Sequence, residues 1–271
     1  MDSEIEYRAW RKEYQSILES FADNRVLLSF SGGKDSSLAL YLISKASKEF
    51  GFDFETHAGV FPIHRYPDSE KKRLEAYWKK HEVDIIWHKF LETDERIKNA
   101  DNPCHSCQKI RKKLLKNFIS EEIHDLEKLV LIVSFSLWDI VGYSVEHLLA
   151  DKFQNGTGKH KIEKNKRFTE TAQRFYPLIR MKEGYRVFRP LIQSNGSDII
   201  ATIKKRSIPS LSIPCEFRDF RPKRVLEAYY EKMGLHFDYM NVLNFAKNSF
   251  DLPDITFYSS MEKERYLSDI F

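Results

Sequence analysis

The feature that most limits how this chain can fold is an alternation of short apolar runs with longer amphipathic segments between residues 25 and 150. The apolar runs predict strands at residues 25–30, 54–61, 83–90 and 128–135. Helical periodicity predicts helices between and after them, at residues 34–50, 68–81, 108–119 and 139–150. Strands separated by helices of this length pair in parallel through right-handed crossovers. The sequence therefore predicts an α/β fold, a parallel sheet with helices on both faces.

The domain organisation follows from the 271-residue length, which fits one large domain with a small appendage. We expect residues 1–24 to contain an amphipathic helix over residues 2–21 that packs on the core, and residues 25–233 to form the main domain. Within that domain, residues 197–206 predict a helix with Ser197 as its N-cap. Residues 151–170 contain two glycines and many lysines, and they predict a mobile basic loop. Residues 234–271 form a C-terminal extension to which the sequence assigns no role.

Composition limits the class of protein. Apolar residues make up 42% of the chain and aromatic residues 14%, which is enough for a buried core and excludes global disorder. No signal pattern and no membrane-spanning run is visible, so we expect a cytosolic protein without membrane contact. Three cysteines in a reducing compartment favour metal ligation or thiol chemistry over a disulfide framework.

A glycine pair between the first strand and its helix predicts an anion site. Glycine lets the backbone approach an anion, and a helix start offers N–H groups and positive potential. Lys34 adds charge, and Asp35 suits Mg²⁺ or the orientation of a neighbouring donor. A bare Gly-Gly also fits a plain turn, and the spacing differs from G-x-x-x-x-G-K-[ST]. The predicted contacts are Ser31, Gly32, Gly33, Lys34, Asp35, Ser36 and Ser37.

The string from Ser31 to Ser36, Ser-Gly-Gly-Lys-Asp-Ser, resembles the PP-loop signature of the N-type ATP pyrophosphatases. The resemblance implies a Rossmann-like sheet, with ATP and Mg²⁺ as cofactors. It also implies cleavage between the α- and β-phosphates, with Lys34 and Asp35 as catalytic residues. Many members of that superfamily adenylate a carbonyl or amide oxygen, and a nucleophile then displaces AMP.

Three cysteines carry the second motif: Cys104-x-x-Cys107 and, far downstream, Cys215 in an Ile-Pro-Cys segment. The residues alone leave open a zinc site completed by His105, a redox pair or unrelated buried thiols. Their arrangement resembles the tRNA 2-thiocytidine and 2-thiouridine synthases over about residues 25–233. That resemblance implies that Cys104, Cys107 and Cys215 are catalytic and hold a [4Fe-4S] cluster that carries sulfur. A zinc ion at the same cysteines is the lesser alternative.

Two positions depart from that family's pattern. Arg218 stands where many members have a further cysteine. Of the family's Gly-His-His-x-Asp-Asp stretch, only the final Asp remains here, as Asp139. A second role for Asp139 is that of a helix N-cap. The departures leave the acceptor base unidentified.

Basic residues suggest tRNA as a partner. The helix from Lys109 to Lys116 and the segment 151–190 are rich in lysine and arginine, which contact phosphate backbones. A solvated, flexible loop explains the second cluster equally well. Interleaved aromatic residues predict stacking on an unpaired base: Phe168, Phe175, Tyr176 and Tyr185. Four histidines are dispersed over the predicted strands and helix ends: His57, His64, His81 and His88. We favour a structural role for them, although His57 and His64 flank the end of the second strand.

The sequence thus predicts an ATP-dependent tRNA thiolase. Its expected partners are tRNA and a sulfur donor such as a cysteine desulfurase or sulfide. A homodimer is a further expectation. One alternative is the same adenylation on a small molecule, and another is a relative of the phosphoadenylylsulfate reductases or DNA-sulfur-modifying enzymes. The last is a non-catalytic, zinc-stabilised nucleotide-binding module.

Overall fold

A computed structural model describes residues 3–60, 67–89, 95–152, 171–211, 217 and 222–260. Within these ranges six strands form one sheet in the order β3-β2-β1-β4-β6-β5. The strands are β1 Arg25–Ser29, β2 Phe54–Val60, β3 Ile85–Lys89, β4 Leu129–Ile132, β5 Leu178–Arg180 and β6 Arg186–Phe188. The helices are α1 Tyr7–Glu19, α2 Lys34–Phe50, α3 Asp68–Lys79, α4 Glu95–Lys98, α5 Pro103–Glu122, α6 Leu137–Lys152, α7 Gly196–Lys205, α8 Pro222–Lys232, α9 Tyr239–Phe250 and α10 Phe257–Ser260.

The sheet is parallel except at one edge. Strands β3, β2, β1, β4 and β6 pair in parallel, and β5 pairs with β6 antiparallel. Only residues 181–185 connect β5 to β6, and a connection that short permits a hairpin but no crossover. The predicted α/β sheet is therefore confirmed, with one antiparallel edge strand added.

Two apolar cores lie on opposite faces of the sheet. Along β1, Val26 and Leu28 belong to one core, whereas Leu27 belongs to the other, as the alternation of a strand requires. The first core contains residues of α1, α2, α3 and α7. The second contains residues of α6, α9 and α10. Helices thus cover both faces, as predicted.

Two helix starts differ from the sequence expectation. Helix α1 begins at Tyr7, with Glu6 as its N-cap residue, and not near residue 2. It is fixed to the core by Trp10, whose Nε1 donates a hydrogen bond of 2.7 Å to Pro190 O. Helix α7 begins after Asn195, so Ser197 lies inside the first turn and is not its N-cap.

The C-terminal residues complete the second core. Tyr258 of α10 is fully buried. Tyr239 Oη donates to Phe175 O over 2.8 Å, and Tyr176 Oη donates to Pro253 O over 2.7 Å. The segment after residue 233 is therefore built into the sheet's second face.

This packing corrects the expected aromatic contacts with RNA. Phe175, Tyr176 and Tyr185 are buried in the second core, so they do not offer a face to an unpaired base. Phe168 lies outside the described residues.

No helix among the described ranges combines the length and apolar character needed to cross a bilayer.

Candidate functional site

The loop between β1 and α2 has the geometry of an anion site. Gly32 takes the left-handed conformation, with φ of 68°, which favours glycine at this position. Helix α2 begins at Lys34, and no side chain hydrogen bond caps it at Gly33. The first N–H groups of a helix have no partner within the helix. The first turn of α2 therefore offers backbone donors and positive potential to a bound anion.

The loop serines differ in how they are placed. Ser31 is exposed, and its Oγ lies 3.0 Å from Ser36 Oγ. Ser36 Oγ also donates to Gly33 O over 3.0 Å, which holds the loop in shape. Ser37 is fully buried, and its N–H serves the helix bond to Gly33 O. Of the three hydroxyls expected to contact an anion, Ser31 is the one at the surface.

Lys34 and Asp35 form an ion pair at this loop, with 2.7 Å between Nζ and Oδ1. Burial acts to raise the pKa of Asp35, but the charges of Lys34 and Lys223 outweigh it and the pKa is lowered. Asp35 is therefore a carboxylate at neutral pH. The charge of Lys34 is thus balanced by the carboxylate of its neighbour Asp35.

A cation that the sequence analysis did not identify comes from α8. Lys223 Nζ contacts Asp139 Oδ1 and lies 3.4 Å from Glu227 Oε1. Burial lowers the pKa of Lys223, and the carboxylates of Glu227 and Asp35 oppose that effect. One signal was available in the sequence: α8 has two cations and no acid in its first turn. Cations at a helix N-terminus interact unfavourably with the helix dipole, so their presence indicates an anionic partner elsewhere in the fold.

Asp139 occupies the third position of α6 rather than its N-cap. Its Oδ2 accepts hydrogen bonds from Ser136 N and Oγ, over 2.8 and 3.1 Å. This is one half of a capping box, in which the third helical residue reaches back to the residue before the helix. Because Asp139 is fully buried, its second oxygen depends on Lys223 for a partner.

The cysteine pair lies in the first two turns of α5. Cys104 and Cys107 are three residues apart on one helix face, and both are buried. Cys104 Sγ donates to Phe217 O over 3.2 Å, so residue 217 of the distant segment lies against the pair. Within the described residues, no three histidine, cysteine, aspartate or glutamate side chains form a metal-binding group. Cys215, Arg218 and the side chain of His105 lie outside that description.

The segment leading to Cys215 is also bonded to the phosphate loop. Leu211 N donates to Gly32 O over 2.7 Å. Arg73 of α3 donates to Ser210 O over 2.5 Å. The chain therefore touches the loop at residue 211 and the cysteine pair at residue 217.

A cavity of about 300 Å³ opens beside the phosphate loop, between the sheet and α5. Its wall includes Ser31 and two of the predicted histidines, His57 and His88. His57 Nδ1 lies 2.8 Å from His88 Nε2, so the structure brings together two residues that looked scattered in sequence. His81 packs against the rings of Tyr77 and Trp78 on α3. His64 lies outside the described residues.

The basic residues divide into surface and structural groups. Lys109, Lys113 and Lys116 are exposed along α5. In the segment 151–190, by contrast, Arg189 is buried and donates to Tyr176 O, and Arg186 donates to Ser20 Oγ. Those two arginines support the fold and do not belong to a phosphate-binding surface, because their donors are directed at protein oxygens. Residues 153–170 lie outside the description.

Comparison with known proteins tests the fold. No protein-family model matches the chain, and no curated protein matches its sequence. Among solved structures, the U34-tRNA thiolase NcsA from Methanococcus maripaludis with its [4Fe-4S] cluster superposes with a TM-score of 0.62. The match has 14% sequence identity and covers 92% of this chain and 81% of that one. The chain therefore has the PP-loop fold of that structure.

Two further solved structures match less well. The NAD⁺ synthetase of Burkholderia pseudomallei matches with a TM-score of 0.46 and 14% identity, over 92% of this chain and 91% of that one. The NH₃-dependent NAD synthetase of Campylobacter jejuni matches at 0.42 and 13%, over 98% and 94%. These two are too dissimilar to carry the comparison further. The resemblance expected from Ser31 to Ser36 is confirmed at the level of the PP-loop fold.

Proposed function

We propose that this protein is an ATP-dependent sulfurtransferase. It adenylates a carbonyl oxygen of a tRNA base and replaces that oxygen with sulfur delivered at a site of three cysteines. One observation carries the proposal: a single short segment connects the phosphate loop to the cysteine pair. Leu211 is bonded to Gly32, and Phe217 accepts a hydrogen bond from Cys104.

Chain geometry then limits where the third cysteine lies. Cys215 precedes Phe217 by two residues. Consecutive Cα atoms are about 3.8 Å apart, so the Cα atoms of these two residues are at most about 7.6 Å apart. We therefore propose Cys215 as the third ligand beside Cys104 and Cys107.

The loop supports the first chemical step. The N–H groups of the first turn of α2 and the ammonium of Lys34 bind the phosphates of ATP, and Asp35 suits Mg²⁺. The carbonyl oxygen of the base attacks the α-phosphorus, the bond to the β-phosphate oxygen breaks, and pyrophosphate leaves. Lys34 stabilises the charge that develops on the leaving group. Because phosphate competes with Asp35 for this ammonium, their ion pair opens when ATP binds.

The cysteines support the second step. Cys104, Cys107 and Cys215 would hold a [4Fe-4S] cluster, since three thiolates leave one iron open. When bound, such a cluster would present sulfide-level sulfur. Its source would be sulfide itself, or a desulfurase persulfide whose outer sulfur is released as sulfide by a thiol reductant that becomes a disulfide. Sulfur becomes bonded to the activated carbon of the base, and the former carbonyl oxygen departs with AMP. The buried, largely apolar surroundings of Cys107, which include Ile97 and Ile110, limit access of water to this site.

The surface of α5 supports RNA as the substrate. Lys109, Lys113 and Lys116 follow helical spacing of four and three residues, so they form one exposed stripe on the helix that carries the cysteine pair. Such a stripe contacts a phosphate backbone without regard to sequence. A base delivered from a single-stranded loop needs no duplex opening to reach the site.

Anaerobic purification with iron, sulfide and zinc analysis tests the cluster. We expect a brown protein with about four irons per chain, in line with three thiolate ligands around a cubane cluster. Cys104→Ala should lose the iron while retaining a folded circular-dichroism spectrum. A colourless protein with one zinc and no iron would contradict the sulfur-transfer step, although adenylation would remain testable by AMP release. Unfolding of Cys104→Ala without AMP formation by the wild type would favour the zinc-stabilised module.

Binding of bulk tRNA tests the RNA substrate. Replacing Lys109, Lys113 and Lys116 by serine should weaken tRNA binding and lower the slope of log affinity against log salt by about two to three. Lys12→Ser is the matched control, because Lys12 is exposed on α1, which packs on the other face of the sheet. An unchanged affinity in the triple variant would favour a small-molecule acceptor.

A further inference from the structure

Three side chains on neighbouring strands form a hydrogen-bonded chain at the cavity wall. On β2, Glu55 Oε2 lies 3.0 Å from His57 Nε2. His57 Nδ1 in turn lies 2.8 Å from Nε2 of His88 on β3. The outer end of the chain is fixed by Arg25, whose Nε and Nη2 donate to the two oxygens of Glu55 over 2.8 and 3.2 Å.

The protonation state of the first two members follows from their partners. The hydrogen bond from Arg25 lowers the pKa of Glu55, so this group is a carboxylate and only accepts. His57 Nε2 must then carry the hydrogen. Burial lowers the pKa of His57 although Glu55 opposes it, so the ring is neutral and has one N–H. Its Nδ1 is left as an acceptor.

The same reasoning fixes His88. Because His57 Nδ1 accepts, His88 Nε2 must donate the hydrogen that joins the two rings. Burial lowers the pKa of His88, so this ring is neutral as well. Its single hydrogen is already used at Nε2. His88 Nδ1 therefore carries a lone pair, and no residue in the described ranges donates a hydrogen bond to it.

The cavity that His88 lines suits a flat apolar ring with a polar edge. Leu27, Leu131 and Phe118 contribute apolar surface to its wall. Two cations of α5, Arg111 and Lys112, also line it, and their side chains carry donors only. An acceptor at His88 is thus chemically distinct from the neighbouring charged groups. The cavity begins at residues 29–31, which run directly into the phosphate loop, so one nucleotide is able to reach both.

We infer that His88 Nδ1 accepts a hydrogen bond from the amino group of the nucleotide's purine ring. Glu55 and His57 act as positioning residues that hold His88 in the accepting tautomer. The inference deepens the proposed function and rests on it, since it takes ATP as the nucleotide at the phosphate loop. The selectivity for adenine would then depend on a chain of hydrogen bonds that begins at Arg25. This residue lies at the end of β1 remote from the phosphate loop.

Nucleotide selectivity measures this role directly. The probes are ATP, purine riboside triphosphate, which lacks the amino group, and ITP, which has a carbonyl oxygen in its place. One neutral hydrogen bond corresponds to a preference of roughly three- to tenfold for ATP over purine riboside triphosphate. The preference over ITP should be larger, because its oxygen places an acceptor opposite an acceptor.

The variants are His88→Phe, which keeps a ring in the wall, and His81→Phe as the matched control outside the cavity. Isothermal titration with Mg²⁺ and without an acceptor should show the ATP preference in the wild type and in His81→Phe. In His88→Phe, ATP and purine riboside triphosphate should bind equally. A preference that survives in His88→Phe overturns the inference and leaves the proposed function standing. Failure of the wild type to bind any triphosphate overturns both.

The tautomers are observable without any ligand. Long-range ¹⁵N–¹H correlation spectra of histidine-labelled wild-type protein at pH 7.5 should show Nε2–H and bare Nδ1 for both His57 and His88. Glu55→Gln removes the charge that orders this chain of hydrogen bonds, so it should mix the tautomers and reduce the selectivity for ATP. A His88 ring that carries its hydrogen on Nδ1 in the wild type would overturn the inference even if every variant failed to fold.

Discussion

The ion pair between Lys223 and Asp139 supports a quantitative prediction. Lys223→Met keeps an unbranched side chain that is one atom shorter and removes the charge, which leaves Asp139 fully buried without its cationic partner. Breaking a buried pair by removing one member costs about 3–5 kcal/mol. Here Asp139 keeps its bonds from Ser136 and the favourable dipole at the start of α6, which offsets about 1 kcal/mol. We therefore expect a loss of about 2–4 kcal/mol.

Urea unfolding followed by circular dichroism measures this loss, and a double-mutant cycle assigns it. The variants Lys223→Met, Asp139→Asn and their combination should be non-additive by about 1–3 kcal/mol, because the two side chains are in contact. Lys232→Met, at the exposed end of the same helix, is the control and should change stability by less than about 0.5 kcal/mol. Additive losses, or a Lys223→Met variant as stable as the control, would refute the reasoning.

Three further changes have expected outcomes in the same unfolding assay. Gly196→Ala places its Cβ 2.6 Å from Trp138 Cδ2, so overpacking should cost about 1–3 kcal/mol. Gly142→Ala is the control, because its new Cβ would lie at an ordinary contact distance of 3.8 Å from Leu226, and it should not lower the stability. Equal losses of stability in the two variants would contradict the overpacking argument. Trp10→Phe leaves buried Pro190 O without its donor and should cost about 1–3 kcal/mol, whereas a neutral result would show that water replaces it. Because burial lowers the pKa of His57, the unfolded chain takes up a proton below about pH 6.5 before the folded one does. Stability should therefore fall as the pH is lowered from 7.5 to 5.5, and less so in His57→Phe; an equal fall in both would exclude His57 as its source.

The part of the fold that the sequence predicted is the part whose contacts are local. Strands β1 to β4 and the helices between them follow from periods of two and 3.6 residues, and the Gly32-Gly33 turn is marked by its own residues. The edge hairpin was harder to predict, because β5 and β6 have three residues each and their direction depends on a five-residue connection. Segments that short carry little periodicity.

The site shows the same division. The phosphate loop is contiguous, so its residues were predicted together. Lys223 reaches Asp139 from 84 positions further along the chain, and only the packing of α8 against α6 brings them into contact. The contact between His57 and His88 was harder to predict, because His57 lies in the middle of β2 and His88 near the carboxyl end of β3. Their contact depends on the pairing of β2 with β3 and on its register, which the sequence alone did not establish.

The burial of α9 and α10 in the second core has a consequence for biosynthesis. Tyr239 and Tyr258 complete a face of the sheet whose central strands are made more than a hundred residues earlier. A chain emerging from the ribosome is therefore able to finish the face covered by α1, α2 and α3 first, while the other face stays open to solvent. Vectorial folding exposes such apolar surface to aggregation. Slowing of synthesis near residue 234 should therefore raise the dependence of this protein on chaperones, although the phosphate loop is complete long before that point.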